Sequence, residues 1–211
     1  MRPSTTTSSS SIFSEYDDKF NIIFIGDENV GKTSIINRFV NNDFSLEKQK
    51  TIGIDSYPML MQVNNKKVLL KLWDTVGDEK YALMNKSHYS IAHEIICVCA
   101  VDNKESFNNL NNWIVNVREL LNNDNVPVFL MANKCDVNAQ ERVVPKNKLK
   151  ELAESYGIEY IECSAKENIN IIDTINKMVK DIYSTHYSKT NAGSSMEEGS
   201  DSSAMDKCSI I

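Results

Sequence analysis

Phe20-Asn21-Ile22-Ile23-Phe24-Ile25-Gly26-Asp27-Glu28-Asn29-Val30-Gly31-Lys32-Thr33-Ser34 decides the reading of this chain. The apolar run 20–25 predicts a buried strand, and a helical pattern follows from Thr33 to about Val40. Between them, two glycines followed by Lys and Thr fit a phosphate-binding loop. Backbone N–H groups of Glu28, Asn29, Val30, Gly31, Lys32, Thr33 and Ser34 would wrap a phosphate chain. The next helix adds the positive end of its dipole. Lys32 would reach the β- and γ-phosphates, and the Thr33 hydroxyl would take one magnesium position.

Working outward, three more strand ends carry polar motifs. Val68-Leu69-Leu70-Lys71-Leu72 leads into Trp73-Asp74-Thr75-Val76-Gly77. Asp74 can hold magnesium through a water, although capping a helix is a plainer role for such an Asp. The Gly77 N–H can bond a γ-phosphate with no side chain in the way. Val126–Ala132 leads into Asn133-Lys134-Cys135-Asp136. The Asp136 carboxylate can accept from both N1–H and the exocyclic amine of guanine, a donor pair that adenine lacks. Asn133 would tie this loop to the phosphate loop, and the Lys134 stem would cover one face of the base. Ser164, Ala165 and Lys166 follow, with backbone able to read the base O6.

Residues 54–63 and 66–73 predict a hairpin across Asn64-Asn65, and Pro58 marks the first of these as an edge strand. The unbroken apolar run 94–101 predicts a strand covered on both faces. Phe107, Leu110, Ile114, Val117 and Leu121 recur at helical spacing, as do Ile172, Ile175, Val179 and Ile182. Strands alternating with helices imply an α/β fold, a mostly parallel sheet with helices on both faces. Ligands in such folds bind beyond the carboxyl ends of the strands, where every motif above sits.

Composition agrees. With 211 residues there is room for one domain plus tails, and 41% hydrophobic residues suit a globular core. A net charge of −6 argues against a nucleic-acid surface. The five Cys show no paired metal spacing and fit a reducing compartment, with Cys97 and Cys99 as core residues. No run approaches a membrane span, and the polar N-terminus lacks an apolar signal core. Residues 1–15, rich in Ser and Thr, read as a disordered extension, 16–184 as the domain, and 185–211 as a flexible tail. The tail ends Cys208-Ser209-Ile210-Ile211, a prenylation box at Cys208. It carries no second Cys or basic patch, so a single lipid would bind membranes reversibly.

Four motifs in this order resemble the small GTPases of the Ras superfamily, with the Rab branch most similar through Thr51-Ile52-Gly53-Ile54-Asp55, Leu72-Trp73-Asp74-Thr75, Glu105–Trp113 and Arg142-Val143-Val144. The resemblance implies a P-loop NTPase fold with a six-stranded, mostly parallel sheet and one antiparallel edge strand. It implies GTP and GDP as ligands, and Mg2+ on Thr33, Thr51 and Asp74. Thr51 and Gly77 would close on the γ-phosphate and release after hydrolysis. Phe44 would stack edge-on against guanine, with a helix-end hydrophobic plug as the plainer alternative.

It further implies an exchange factor, an activating protein, an escort or dissociation-inhibitor protein, and effectors. The expected setting is a monomer in the cytoplasm and on the cytoplasmic face of intracellular membranes, acting in vesicle traffic.

The chain also departs from the family. Asp78 stands where a Gln usually orients the attacking water, Val76 replaces Ala, and Glu28 adds a carboxylate near the γ-phosphate. Slow hydrolysis is expected, with Asp78 and Gly77 as the catalytic positions. The open alternative is that an activating protein supplies the water-positioning group. A hydrolysis-deficient GTP-binding scaffold and a Ras- or Rho-like signalling GTPase stand beside the trafficking reading. Lys48 and Lys50 read as solvated loop residues or as contacts for an acidic effector.

Overall fold

The computed structural model describes residues 15–46, 50–77, 86–121, 126–192 and 208–210. Residues 1–14, Lys48, Asp78 and most of the tail lie outside this set. The strands are β1 (Asp18–Ile25), β2 (Ile54–Val63), β3 (Lys66–Thr75), β4 (Glu94–Ala100), β5 (Val128–Asn133), β6 (Glu159–Glu162) and the short β7 (Cys208–Ile210). The helices are α1 (Lys32–Asn41), α2 (Lys86–Tyr89), α3 (Lys104–Asn108), α4 (Leu110–Leu121), α5 (Lys146–Tyr156) and α6 (Ile172–Ala192).

The sheet order is β6-β5-β4-β1-β3-β2-β7. Pairings β1–β3, β1–β4, β4–β5 and β5–β6 are parallel, and β2–β3 is antiparallel. Strands β1–β6 thus form the expected six-stranded sheet with one antiparallel edge strand. The β2–β3 hairpin turns on Asn64 and Asn65, both at positive φ (47° and 63°). That pair of left-handed residues matches the twist of the flanking strands, which is why Asn serves there. Among the described residues, Pro58 sits opposite Lys71 with no strand paired on its outer side, because β7 pairs with Met61–Val63.

Side-chain alternation in the central strand splits the core in two. Phe20, Ile22 and Phe24 face one side and pack with Ile36, Phe39, Ile175 and Val179 of α1 and α6. Ile23 and Ile25 face the other and pack with Trp113, Ile114, Val117 and Leu149 of α4 and α5. With both faces covered, strands 20–25 and 94–100 are apolar apart from Asn21 and Glu94, and all seven residues of β4 are buried. Cys97 and Cys99 share one of these cores as free thiols.

Two details differ from the sequence pattern. The stretch expected as one helix through 107–121 is divided at Asn109, whose side chain is drawn off to Asp27. The last helix continues beyond 184 to Ala192. Its extension is anchored by Tyr187, which stacks on Tyr183 with centroids 4.3 Å apart and donates to Asp18 Oδ2 at 2.7 Å. Among the described residues no helix is long and apolar enough to cross a membrane.

Candidate functional site

β1, β3, β5 and β6 run in parallel, so their C-terminal ends open on one rim, and each delivers one motif there. At the end of β1, residues 26–31 form a backbone concavity with Gly26, Asn29 and Gly31 all at positive φ. Lys32 folds under it, its ammonium donating to the Gly26 and Asp27 carbonyls at 2.7 and 2.8 Å. Burial pulls that ammonium down to about 8, against the opposing charge of Asp74. A phosphate anion above it would favour the charged form.

The loop is braced from outside. Trp113 Nε1 and Asn109 Nδ2 donate to the two Asp27 carboxylate oxygens at 2.7 and 2.8 Å. Asn133, at the end of β5, donates through Nδ2 to the Val30 carbonyl at 2.9 Å. Its Oδ1 accepts from the Ala165 N–H at 3.1 Å. One side chain therefore ties phosphate loop, β5 loop and β6 loop together. Gly31 is required beside it, since a Cβ there would meet Asn133 Nδ2 at 2.3 Å.

Thr33, Thr51 and Asp74 come from three separate segments and converge. Thr33 Oγ1 donates to Asp74 Oδ2 at 2.5 Å, Thr51 Oγ1 donates to the same oxygen at 3.1 Å, and the two hydroxyls lie 3.1 Å apart. Asp74 is fully buried, and burial raises its carboxyl above the usual range. Its Oδ1 has no hydrogen-bond partner among the described residues. An orphaned carboxylate oxygen beside two hydroxyls is a donor set that suits a hard cation completed by water and phosphate oxygens. The residues fit magnesium, and no cluster of three or more His, Cys, Asp or Glu among the described residues offers a different metal cage.

Gly77 lies against the phosphate loop. A Cβ at Gly77 would meet Glu28 N at 2.2 Å and Asp27 C at 2.4 Å. Glu28 also reaches the segment that carries Thr51, pairing with Lys50 at 2.7 Å. Lys50 is thus an ion-pair partner rather than a purely solvated loop residue. Val76 precedes Gly77 in the same segment; Asp78 lies outside the described residues.

At the base side, Ser164 Oγ donates to Asp136 Oδ1 at 2.6 Å, and Lys166 stands 3.8 Å from Asp136 Oδ2. Lys134, at φ 65°, is held by Asp102 at 3.0 Å. Arg38 donates to the carbonyls of Ala165 and Lys166 at 2.8 and 3.1 Å, clamping the β6 loop to α1. Arg142 forms a two-pronged pair with Glu162 at 2.8 and 2.7 Å just below. Phe44 is half-buried and lines an open hollow of ≈ 600 Å³ with Asp43, Ser45, Leu46 and Lys166. Sequence reasoning missed Asp27, Arg38, Asp102, Asn109 and Trp113 as supports. Only Trp113, a large aromatic in the apolar repeat of its helix whose buried indole N–H needs an acceptor, carried a signal that could have been read.

A phosphate loop, a hydroxyl–carboxylate cation site and an Asn-Lys-x-Asp base loop on one sheet rim define a nucleotide-binding protein of the P-loop class. The Ras family model matches residues 21–184. The chain belongs to the Ras family of small GTPases, and it is of the Rab type. It is 36% identical over 182 residues to Ras-related protein Rab-8 of Diplobatis ommata, covering 86% of each chain. It is 38% identical to Ras-related protein RabZ of Dictyostelium discoideum, covering 80% of this chain and 73% of that one. Ras-related protein Rab-8A of Bos taurus is also 38% identical, with 79% of this chain and 80% of that one covered.

Proposed function

We propose that this Rab-type GTPase binds GTP and GDP with magnesium and works as a molecular switch in intracellular vesicle and membrane traffic. The convergence of Thr33, Thr51 and Asp74 carries the reading, because Thr51 reaches the cluster from a separate segment through its side-chain hydroxyl. Lys32 and the amides of residues 28–34 hold the β- and γ-phosphates. Asp136 takes the guanine N1–H and 2-amino group, Ser164, Ala165 and Lys166 border O6, and Phe44 flanks the ring. When bound, magnesium would offset the charge of the phosphates, and Thr33, Thr51 and Asp74 would hold it.

Hydrolysis is slow in this proposal. Asp78 lacks the amide N–H that a Gln offers to the equatorial oxygens, and it sets a negative charge beside a polyphosphate. An exchange factor, an activating protein, an escort protein and effectors act on the switch surface, where Leu46 and Ile52 are 79% and 90% exposed. A prenyl group on Cys208 supplies reversible membrane attachment to the cytoplasmic face.

Calorimetry with GTP, GDP and ATP in magnesium tests the first part; equal affinity for guanosine and adenosine nucleotides would defeat it. Single-turnover hydrolysis of wild type beside Asp78→Gln tests the second, which fails if wild type is as fast. Membrane fractionation of tagged chain against Cys208→Ser tests attachment.

A further inference from the structure

We infer that Glu28 is a positioning residue for the first switch: through Lys50 it seats Thr51 at the Thr33–Asp74 oxygens and so sets how firmly the triphosphate form keeps its magnesium. The inference rests on the proposed reading of the site as a magnesium-dependent guanine-nucleotide switch.

Glu28 stands on fixed ground. The residue before it, Asp27, is gripped by Trp113 and Asn109, and Val30 is held by Asn133. Lys50 stands on a segment with little apolar anchorage. Its neighbour Ile52 is 90% exposed, and Leu46 on the other side is 79% exposed. Polar contacts among the described residues help tie residues 50 and 51 to the rim: Lys50 to Glu28 at 2.7 Å, and Thr51 to Thr33 and Asp74 at 3.1 Å each. Because Lys50 directly precedes Thr51, fixing its ammonium limits where the Thr51 hydroxyl can go. Gly77 packs its backbone on Glu28 N, so the two loops expected to respond to the γ-phosphate both meet at this one residue.

The carboxylate, read alone, should repel phosphate. Paired with Lys50 it joins a near-neutral unit instead, which relieves part of that repulsion. The pair is solvent-exposed, at 69% and 39% for the two side chains, so its effect is modest and screened by salt.

The test uses the full chain loaded with a fluorescent non-hydrolysable GTP analogue, and separately with labelled GDP. Retention is followed as free magnesium is lowered, for wild type, Glu28→Gln, Lys50→Gln and the double variant. Lys50→Gln is expected to raise the magnesium needed for half-maximal retention of the triphosphate roughly two- to five-fold when Glu28 is present, the span an exposed ion pair supports. In the Glu28→Gln background the same change should shift it by less than about 1.5-fold, since the partner is already gone. The GDP form, which does not call on Thr51, should move by less than about 1.5-fold throughout, and 1 M salt should erase the difference.

Equal effects of Lys50→Gln in both backgrounds would overturn the proposal, since Lys50 would then act without Glu28. Equal effects on the GDP and triphosphate forms would also overturn it, since that is what a structural role gives. A wild-type chain that retains neither nucleotide at any magnesium level refutes the parent reading instead.

Discussion

Substituting Gly77 by Ala puts the switch geometry to its sharpest trial. The added Cβ would meet Glu28 N at 2.2 Å, Asp27 C at 2.4 Å and Glu28 Cα at 2.6 Å, all backbone atoms that cannot swing aside. Reaching ordinary contact at 3.4 Å needs about 1.2 Å of separation. The phosphate loop is pinned by Trp113, Asn109 and Asn133, whereas Gly77 stands two residues beyond the end of β3, so Gly77 gives way. An N–H bonded to a γ-phosphate oxygen at about 2.9 Å would then stand roughly 4.1 Å away, beyond hydrogen-bond range. Losing one bond to a charged acceptor costs about 1.5–3 kcal/mol, or roughly 10- to 150-fold in affinity.

GDP has no γ-phosphate, so its affinity should stay within about three-fold. Titration of purified Gly77→Ala with a non-hydrolysable GTP analogue and with GDP, beside a urea melt to confirm folding, reads both. A folded variant with undiminished triphosphate affinity would show that Gly77 does not touch the γ-phosphate. Equal loss for both nucleotides would show that the phosphate loop yields, and that Trp113, Asn109 and Asn133 do not hold it rigid.

Trp113→Phe removes the Asp27 Oδ1 donor from a residue that is 2% exposed, and urea unfolding should show a loss of about 1–3 kcal/mol. A loss below about 0.5 kcal/mol would mean that Asn109 and water suffice. Arg38→Ala strips the donors from the Ala165 and Lys166 carbonyls, and calorimetry should show GDP and GTP weakened alike, by roughly 5- to 30-fold, since the base loop serves both.

Glu94 is 9% exposed, and burial, with Asp181 and Glu159 nearby, raises its carboxyl to about 7. A carboxyl whose folded value lies above its unfolded value of 4.5 holds its proton in the folded state first, so stability falls as pH rises from about 4.5 to 7. Glu94→Gln should therefore stabilise the protein at pH 8, by up to about 3 kcal/mol, and change little at pH 4.5. Chemical denaturation at the two pH values checks this, and an equal shift at both would contradict the assignment.

What could be read from the chain was whatever depends on neighbours in sequence. The strand 20–25 is legible because both its faces are buried and five of its six residues are apolar. The hairpin at Asn64-Asn65 is legible because only a few residues accept two successive left-handed conformations. The site motifs are legible because a phosphate, a cation and a purine each ask for particular backbone and side-chain chemistry at a strand end. The supports are different in kind. Asp27 meets partners 82 and 86 residues away, and Arg38 meets the Ala165 carbonyl 127 residues away. Asp, Asn and Arg serve equally as solvated surface residues, so their types announce nothing until the sheet brings the ends together.

Glu28 shows the cost of reading charge without its partner. From sequence it is a lone carboxylate facing a polyphosphate, and repulsion is the natural inference. In the fold its oxygen lies 2.7 Å from Lys50, a residue on another loop, and the local field is that of a pair. Slow hydrolysis argued from Asp78 does not depend on this, because a missing amide N–H cannot be supplied by a neutralised carboxylate elsewhere. Slow hydrolysis argued from Glu28 does depend on it, and weakens accordingly. The two contributions separate experimentally: Asp78→Gln should raise the single-turnover rate more than Glu28→Gln does.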